Sequence, residues 1–124
     1  MKPASPYSVS KLKLEKFLNK KKNKLDCVIL RYFNVAGVEK KLRCGFNIRK
    51  GKNLILKLCS ASVKKKTFVI NGQNYKTRDG TTIRDYIHVE DLAKIHMSTA
   101  NLLMKKKIFQ TFNCGYGYLS LIHI

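Results

Sequence analysis

The chain has 124 residues, 44% of them hydrophobic and 10% aromatic, and sets 26 Lys and Arg against 7 Asp and Glu for a formal net charge of +19. That length allows one domain at most, the apolar share is too high for a disordered basic tail, and no apolar run approaches the ~18 residues of a membrane-spanning helix. Nothing at Met1 resembles a signal segment, and Cys27, Cys44, Cys59 and Cys114 contain no Cys-x-x-Cys pair, which points to free thiols in a reducing, cytosolic compartment.

In chain order, Ser5-Pro6 sets a capping hydroxyl before a proline at the first helical position, and a helix is expected to run to about Leu18 with Tyr7, Lys11, Leu14 and Leu18 on one face. Asp26 to Phe33 is a short β-branched apolar run that suits a buried strand, and Asn34 to Asn47 reads as a Gly-containing loop. Asn53 to Val63 predicts a second helix. Thr67 to Ile70 is a strand candidate, Asn71-Gly72 and Asp79-Gly80 are turn signals, and Ile83 to Val89 is another strand. A third helix opens on Glu90-Asp91, turns Leu92, Ile95, Thr99, Leu102 and Leu103 inward, and closes on lysines. Phe109 to Asn113 is the last strand. No repeat or low-complexity linker interrupts this alternation of helix and strand, so the fold class is α/β.

Lysine dominates the basic residues and collects in three triplets, Lys20 to Lys22, Lys64 to Lys66 and Lys105 to Lys107. Each follows a segment of helical period, where cations complement the negative end of the helix dipole and remain solvated. A nucleic-acid-binding surface is the alternative from a different functional class. Against it, neither base-stacking aromatics nor Arg forks are interleaved with the triplets. His88 and His96 lie eight apart without a third ligand at useful spacing, so no metal site is expected.

Tyr7 and Lys11 form Tyr-x-x-x-Lys, a spacing that stacks both side chains on one helix face, where an ammonium can stabilise a phenolate. In a chain this rich in lysine such a pair is expected about once by chance. What gives it meaning is its company: SPYSVSKLKLE, VILRYFNVAG and GQNYKTRDGTTIRDYIHVEDLA follow one another in this order. From about Pro3 to Tyr118 these strings closely resemble the UDP-glucose 4-epimerases, extended short-chain dehydrogenases/reductases of the NAD-dependent epimerase/dehydratase family. The block from Asp79 to Val89 is the most specific part and favours the 4-epimerases over sister nucleotide-sugar dehydratases and decarboxylases; another nucleotide-sugar epimerase or dehydratase of the same superfamily is the nearer alternative.

The resemblance implies the C-terminal portion of a Rossmann-like fold with part of a smaller substrate domain. Residues 1–34 and 83–113 would belong to the NAD-binding domain and 35–82 to the UDP-sugar domain, with 114–124 a truncated end. It implies that Tyr7 is the catalytic tyrosine. A free phenol titrates near ~10, so the neighbouring Lys11 ammonium and a positively charged nicotinamide would be needed to favour its phenolate. Lys11 would also bond the nicotinamide ribose, and Phe33 would bring its backbone to the cofactor. Asn34 would contact the nucleotide sugar. Asn53 and Leu54 would meet the diphosphate and uridine at a helix start; Val69, Ile70 and Asn71 would line the uracil. Arg84 would grip the diphosphate with Tyr86 beside it. NAD is the implied cofactor, UDP-glucose and UDP-galactose the implied substrates, and a cytoplasmic homodimer the implied full-length state.

Ser8 stands where that family usually has Gly, and Val38 where it commonly has Ala. The chain also lacks the Gly-rich strand-turn-helix that binds the NAD pyrophosphate and an upstream catalytic Ser or Thr. It is therefore expected to be an inactive fragment. Leu119 to Ile124 breaks the family pattern and reads as the translation of a sequencing adapter.

Overall fold

The structure is a computed structural model that describes residue 3, residues 5–45 and residues 53–121. Its elements run α1 (Pro6–Lys20), β1 (Cys27–Tyr32), β2 (Asn34–Ala36), α2 (Leu54–Val63), β3 (Tyr86–His88), α3 (Val89–Lys105) and β4 (Phe109–Cys114). They form two compact units. The first comprises Met1–Arg31 with Lys94–Cys114, and the second Tyr32–Ala93 with Gly115–Ile124.

In the first unit, α1 begins where the sequence places it. The Ser8 N–H donates to Ser5 Oγ at 3.2 Å, and the Ser5 N–H donates back to Ser8 Oγ at 3.0 Å. Ser8 thus completes a capping box, satisfying two backbone groups that would otherwise face solvent alone. The face of α1 that carries Tyr7, Lys11, Leu14 and Leu18 is largely open, with Tyr7 72% and Leu14 54% exposed. β1 lies beside β4 in a two-stranded sheet, and the Cys27 N–H donates to the Ile108 carbonyl at 2.8 Å. Cys114, at the end of β4, is buried, and that burial pushes its thiol up. A thiol so placed is a poor nucleophile.

Helix and strand of this unit are joined by Glu15 and Arg31. The Arg31 Nε donates to Glu15 Oε1 at 2.9 Å and its Nη2 to Oε2, a bidentate pair. The guanidinium hydrogen bonds hold the Glu15 carboxyl below its usual range and raise Arg31. Since the folded carboxyl is depressed, its contribution is present above the ordinary glutamate range and lost as pH falls through the folded value. We therefore expect Glu15→Gln to lower the melting temperature at pH 7 by at most a few degrees, roughly, for an exposed pair. The gap should narrow as pH falls from 7 into acid below the ordinary glutamate range. Thermal melts of both proteins across that range test this, and a gap that persists in acid would contradict it.

In the second unit, β2 and β3 pair in parallel, with Asn34 opposite Tyr86, Val35 opposite Ile87 and Ala36 opposite His88. β2 falls within the stretch expected to be loop. Three residues carry too little periodicity to signal a strand; its partner across the sheet makes it one. Ile87, 2% exposed, and Leu92 at the start of α3 form the apolar centre here, with Thr81 also buried. The strand expected over Ile83 to Val89 is confined to β3, because α3 already begins at Val89 and Arg84 makes only an isolated bridge, to Ser120.

Residues 67–70 form no strand at all. Val69 is 71% exposed, and an apolar run without a neighbouring strand has nothing to receive its ladder hydrogen bonds. The Asp79-Gly80 turn does form. Asp79 Oδ1 accepts from the Thr81 N–H at 2.8 Å, and Gly80 has φ +73 with the Gln73 carbonyl oxygen 2.3 Å from where a Cβ would stand. Only glycine fits there. The three lysine triplets coincide with helix ends: Lys20 closes α1, Lys64 caps α2 and Lys105 closes α3.

Candidate active site

The candidate residues divide between the two units. Tyr7 and Lys11 sit in the first turns of α1, where Pro6 and the capping box fix the helix start. The Lys11 Nζ lies 5.3 Å from the centroid of the Tyr7 ring, within the range of a cation–π contact. The predicted stacking on one helix face is thus realised. Both side chains are exposed, so a ligand can reach the phenol.

In the second unit a cavity of about 360 Å³ is lined by Asn34, Asn53, Leu54, Val69, Ile70, Asn71, Arg84 and Tyr86 together with Val35, Ile55, Lys57, Phe68 and Thr82. The first eight are the residues named for substrate contact from the sequence. A larger cavity of about 520 Å³ shares Lys57, Phe68, Val69 and Asn71 with it, but holds only two of those eight.

Polar atoms on the cavity wall are oriented by neighbours. Asn53 caps α2, its Oδ1 accepting from the Leu56 N–H at 2.8 Å, so what remains for a ligand is its amide N–H₂. Capping and ligand contact are therefore compatible for this one side chain. Asn34 is set the other way round: its Nδ2 donates to the Asp85 carbonyl at 3.0 Å, which leaves Oδ1 as the acceptor. Arg84 is near Thr82, Nε to Oγ1 at 3.4 Å, and makes no ion pair among the described residues. Asp79 and Asp85, the acidic residues near it in the sequence, are engaged by Thr81 and Gly117.

Such a wall suits an anion at one place and a flat apolar group at another. Two cations, Arg84 and Lys57, and the amide of Asn53 face it without a carboxylate among the lining residues. The start of α2 adds its unpaired N–H groups. Leu54, Phe68, Val69 and Ile70 supply apolar surface.

Lys57, Thr82 and Phe68 were not among the residues expected at the site. Lys57 follows Asn53 by one helical turn, its N–H donating to the Asn53 carbonyl at 3.1 Å. Thr82, Arg84 and Tyr86 alternate along an extended segment, so they share a side. Both spacings were legible. Phe33, by contrast, does not line the cavity; its Cδ2 is 2.6 Å from the point where a Cβ on Gly115 would stand.

The parallel pairing of β2 and β3 between helices places the chain in the α/β class with a Rossmann-like fold. Residues 1–115 match the NAD dependent epimerase/dehydratase family, and the chain belongs to it. It is 42% identical over 118 residues to the UDP-glucose 4-epimerase of Azospirillum brasilense, covering 93% of this chain and 34% of that protein. With the UDP-glucose 4-epimerase of Mycoplasma pneumoniae the identity is 37% over 119 residues, 92% of this chain and 34% of the relative. The crystal structure of the Stenotrophomonas maltophila UDP-glucose 4-epimerase, with bound NAD and formylated UDP-arabinopyranose, superposes with a TM-score of 0.82 at 30% identity, over 97% of this chain and 37% of that one. That of the Bifidobacterium longum enzyme, in complex with NAD+ and UDP, gives 0.77 at 34% identity over 94% and 36%. The chain thus spans about a third of the length of these relatives.

Proposed function

We propose that the chain is the central part of a UDP-glucose 4-epimerase, an isomerase that interconverts UDP-glucose and UDP-galactose with NAD as its retained cofactor. The observation that carries this reading is the convergence of Asn34, Asn53, Leu54, Val69, Ile70, Asn71, Arg84 and Tyr86 on one cavity with no carboxylate among the described residues that line it. In it, Arg84, aided by Lys57 and the start of α2, neutralises the diphosphate. The apolar strip of Leu54, Phe68, Val69 and Ile70 takes the uracil, with Asn71 beside it. Asn34 Oδ1 accepts from a sugar hydroxyl, and Tyr86 packs beside the diphosphate.

The groups fitted to NAD in this chain are the accessible Tyr7 hydroxyl, the Lys11 ammonium and the backbone at Phe33. When bound, NAD supplies a reversible hydride acceptor for sugar C4. Tyr7 takes the proton of the 4-hydroxyl as the hydride departs and returns it after the hydride comes back to the other face. Lys11 favours the phenolate electrostatically and holds the nicotinamide ribose. In domain terms, 1–34 and 83–113 serve the NAD-binding part and 35–82 the UDP-sugar part. The full-length enzyme is cytoplasmic and homodimeric.

The test is the coupled assay of UDP-galactose conversion by the full-length protein containing these residues, with expected activity and stoichiometric NAD. The 124-residue chain alone should neither retain NAD nor interconvert the sugars, since it contains no Gly-rich pyrophosphate loop. Stoichiometric NAD on the isolated chain, read by absorbance after denaturation, would contradict that division of labour. An inactive full-length protein would overturn the function itself.

A further inference from the structure

The buried carboxylate of Asp85, already seen to accept from Gly117, is not among the residues lining the cavity, yet it sits between the two cavity residues Arg84 and Tyr86. It is 8% exposed, and neighbours along an extended segment point to opposite sides. Arg84 and Tyr86 therefore face the cavity, and Asp85 turns inward, away from its wall.

There one carboxylate oxygen is held, while Oδ1 is buried without a hydrogen-bond partner among the described residues, and the backbone carbonyl is held separately. The Gly117 N–H donates to Asp85 Oδ2 at 3.1 Å, and a Cβ on Gly115 would stand 2.4 Å from the same oxygen. The Asp85 carbonyl accepts from both the backbone N–H and the Nδ2 of Asn34, at 3.2 Å and 3.0 Å. Asp85 is therefore the point at which the 115–117 turn and the Asn34 amide are both tied to the segment that presents Arg84.

A carboxylate buried in this way is costly unless it is bonded, and it tolerates few geometries. An apolar side chain of similar volume would fill the space but would leave the Gly117 N–H without its acceptor and the turn free to shift. Gly115 has the complementary role, because any larger residue would collide with Asp85 on one side and with Phe33 Cδ2, 2.6 Å away, on the other.

We propose that Asp85 is a positioning residue for the nucleotide-sugar site: through the Gly117 N–H and the close-packed Gly115 it fixes the direction in which Arg84 enters the cavity. This rests on the reading of that cavity as a UDP-sugar site. Asp85 touches no ligand itself. It acts by sparing Arg84 the cost of being ordered when the diphosphate arrives.

The experiment is UDP titration calorimetry together with steady-state kinetics on the full-length protein. Asp85→Ala is expected to raise the Kd for UDP and the KM for the UDP-sugar about tenfold, leaving kcat within about threefold, as befits loss of binding common to ground and transition states. Asp85→Asn keeps an oxygen for the Gly117 N–H and should restore affinity to within about threefold of the parent. The decisive comparison is the Arg84→Ala background, where Asp85→Ala should add less than about twofold, since its effect is transmitted through Arg84. Should Asp85→Ala not fold, Gly115→Ala displaces the same carboxylate and carries the same expectations, including the missing effect in Arg84→Ala. A full tenfold loss persisting without Arg84, or a fall in kcat with KM unchanged, would overturn the positioning role. Parental UDP affinity in Arg84→Ala itself would instead overturn the cavity reading on which it rests.

Discussion

Tyr7→Phe in the full-length protein is expected to lower kcat by about 10²–10⁴-fold while leaving KM for the UDP-sugar nearly unchanged. The substitution isolates one atom. The aromatic ring remains to face the Lys11 ammonium, now 5.3 Å from its centroid, and the helix start depends on Ser5, Pro6 and Ser8 rather than on the phenol. With the side chain 72% exposed, no packing is lost with the hydroxyl either. What disappears is the group proposed to accept the 4-hydroxyl proton as the C4 hydride leaves. Help of that kind is felt only on the way to the transition state, so it registers in turnover rather than affinity. Steady-state kinetics with UDP-galactose read both constants. Near-parental turnover would remove Tyr7 from the chemistry and return its spacing to Lys11 to coincidence.

Arg84→Ala should produce the opposite pattern, a KM raised about 10- to 150-fold with kcat altered little. A hydrogen bond between charged groups is worth about 1.5–3 kcal/mol, and each ~1.4 kcal/mol is tenfold in affinity. Arg84 is a strong candidate for a loss of that size because its charge is not spent within the protein: it makes no ion pair among the described residues, and its one side-chain bond is the 3.4 Å contact to Thr82. The diphosphate is present in the substrate and in the transition state alike, so its loss of grip falls on binding. Arg84→Lys should lie between the two, since it keeps the charge but not the two-pronged geometry. An unchanged KM in Arg84→Ala, measured alongside UDP binding, would contradict the assignment.

Local chemistry was legible from the chain alone wherever neighbours in sequence are neighbours in space. Ser5-Pro6 marked the start of α1, Asn53 the start of α2 and the lysine triplets the helix ends, because caps and dipole partners act within one turn. The Ser at position 8 looked like a departure from its family's pattern, yet it closes the capping box with Ser5. That spacing of three was itself a readable signal. The inward face of α3, with Leu92 buried, followed from periodicity for the same reason.

Tertiary structure decided what depends on distant partners. The three residues of β2 became a strand only by pairing with β3, and Asn34 acquired its orientation from the carbonyl of Asp85, 51 positions away. Residues 67–70, apolar and β-prone, stayed irregular without a neighbour to complete a ladder. The motifs named eight of the cavity residues singly, but the wall that Lys57 and Thr82 complete, without a carboxylate among the described residues, emerges only where β2, α2 and the Arg84–Tyr86 segment meet. So does the inward turn of Asp85. The sequence by itself determined helix starts and ends, turn chemistry and family membership, since these reside in short strings. Which strands pair, which charges remain uncompensated and which way each amide points depended on the folded chain, because burial and hydrogen-bond competition are settled by groups that no local spacing connects.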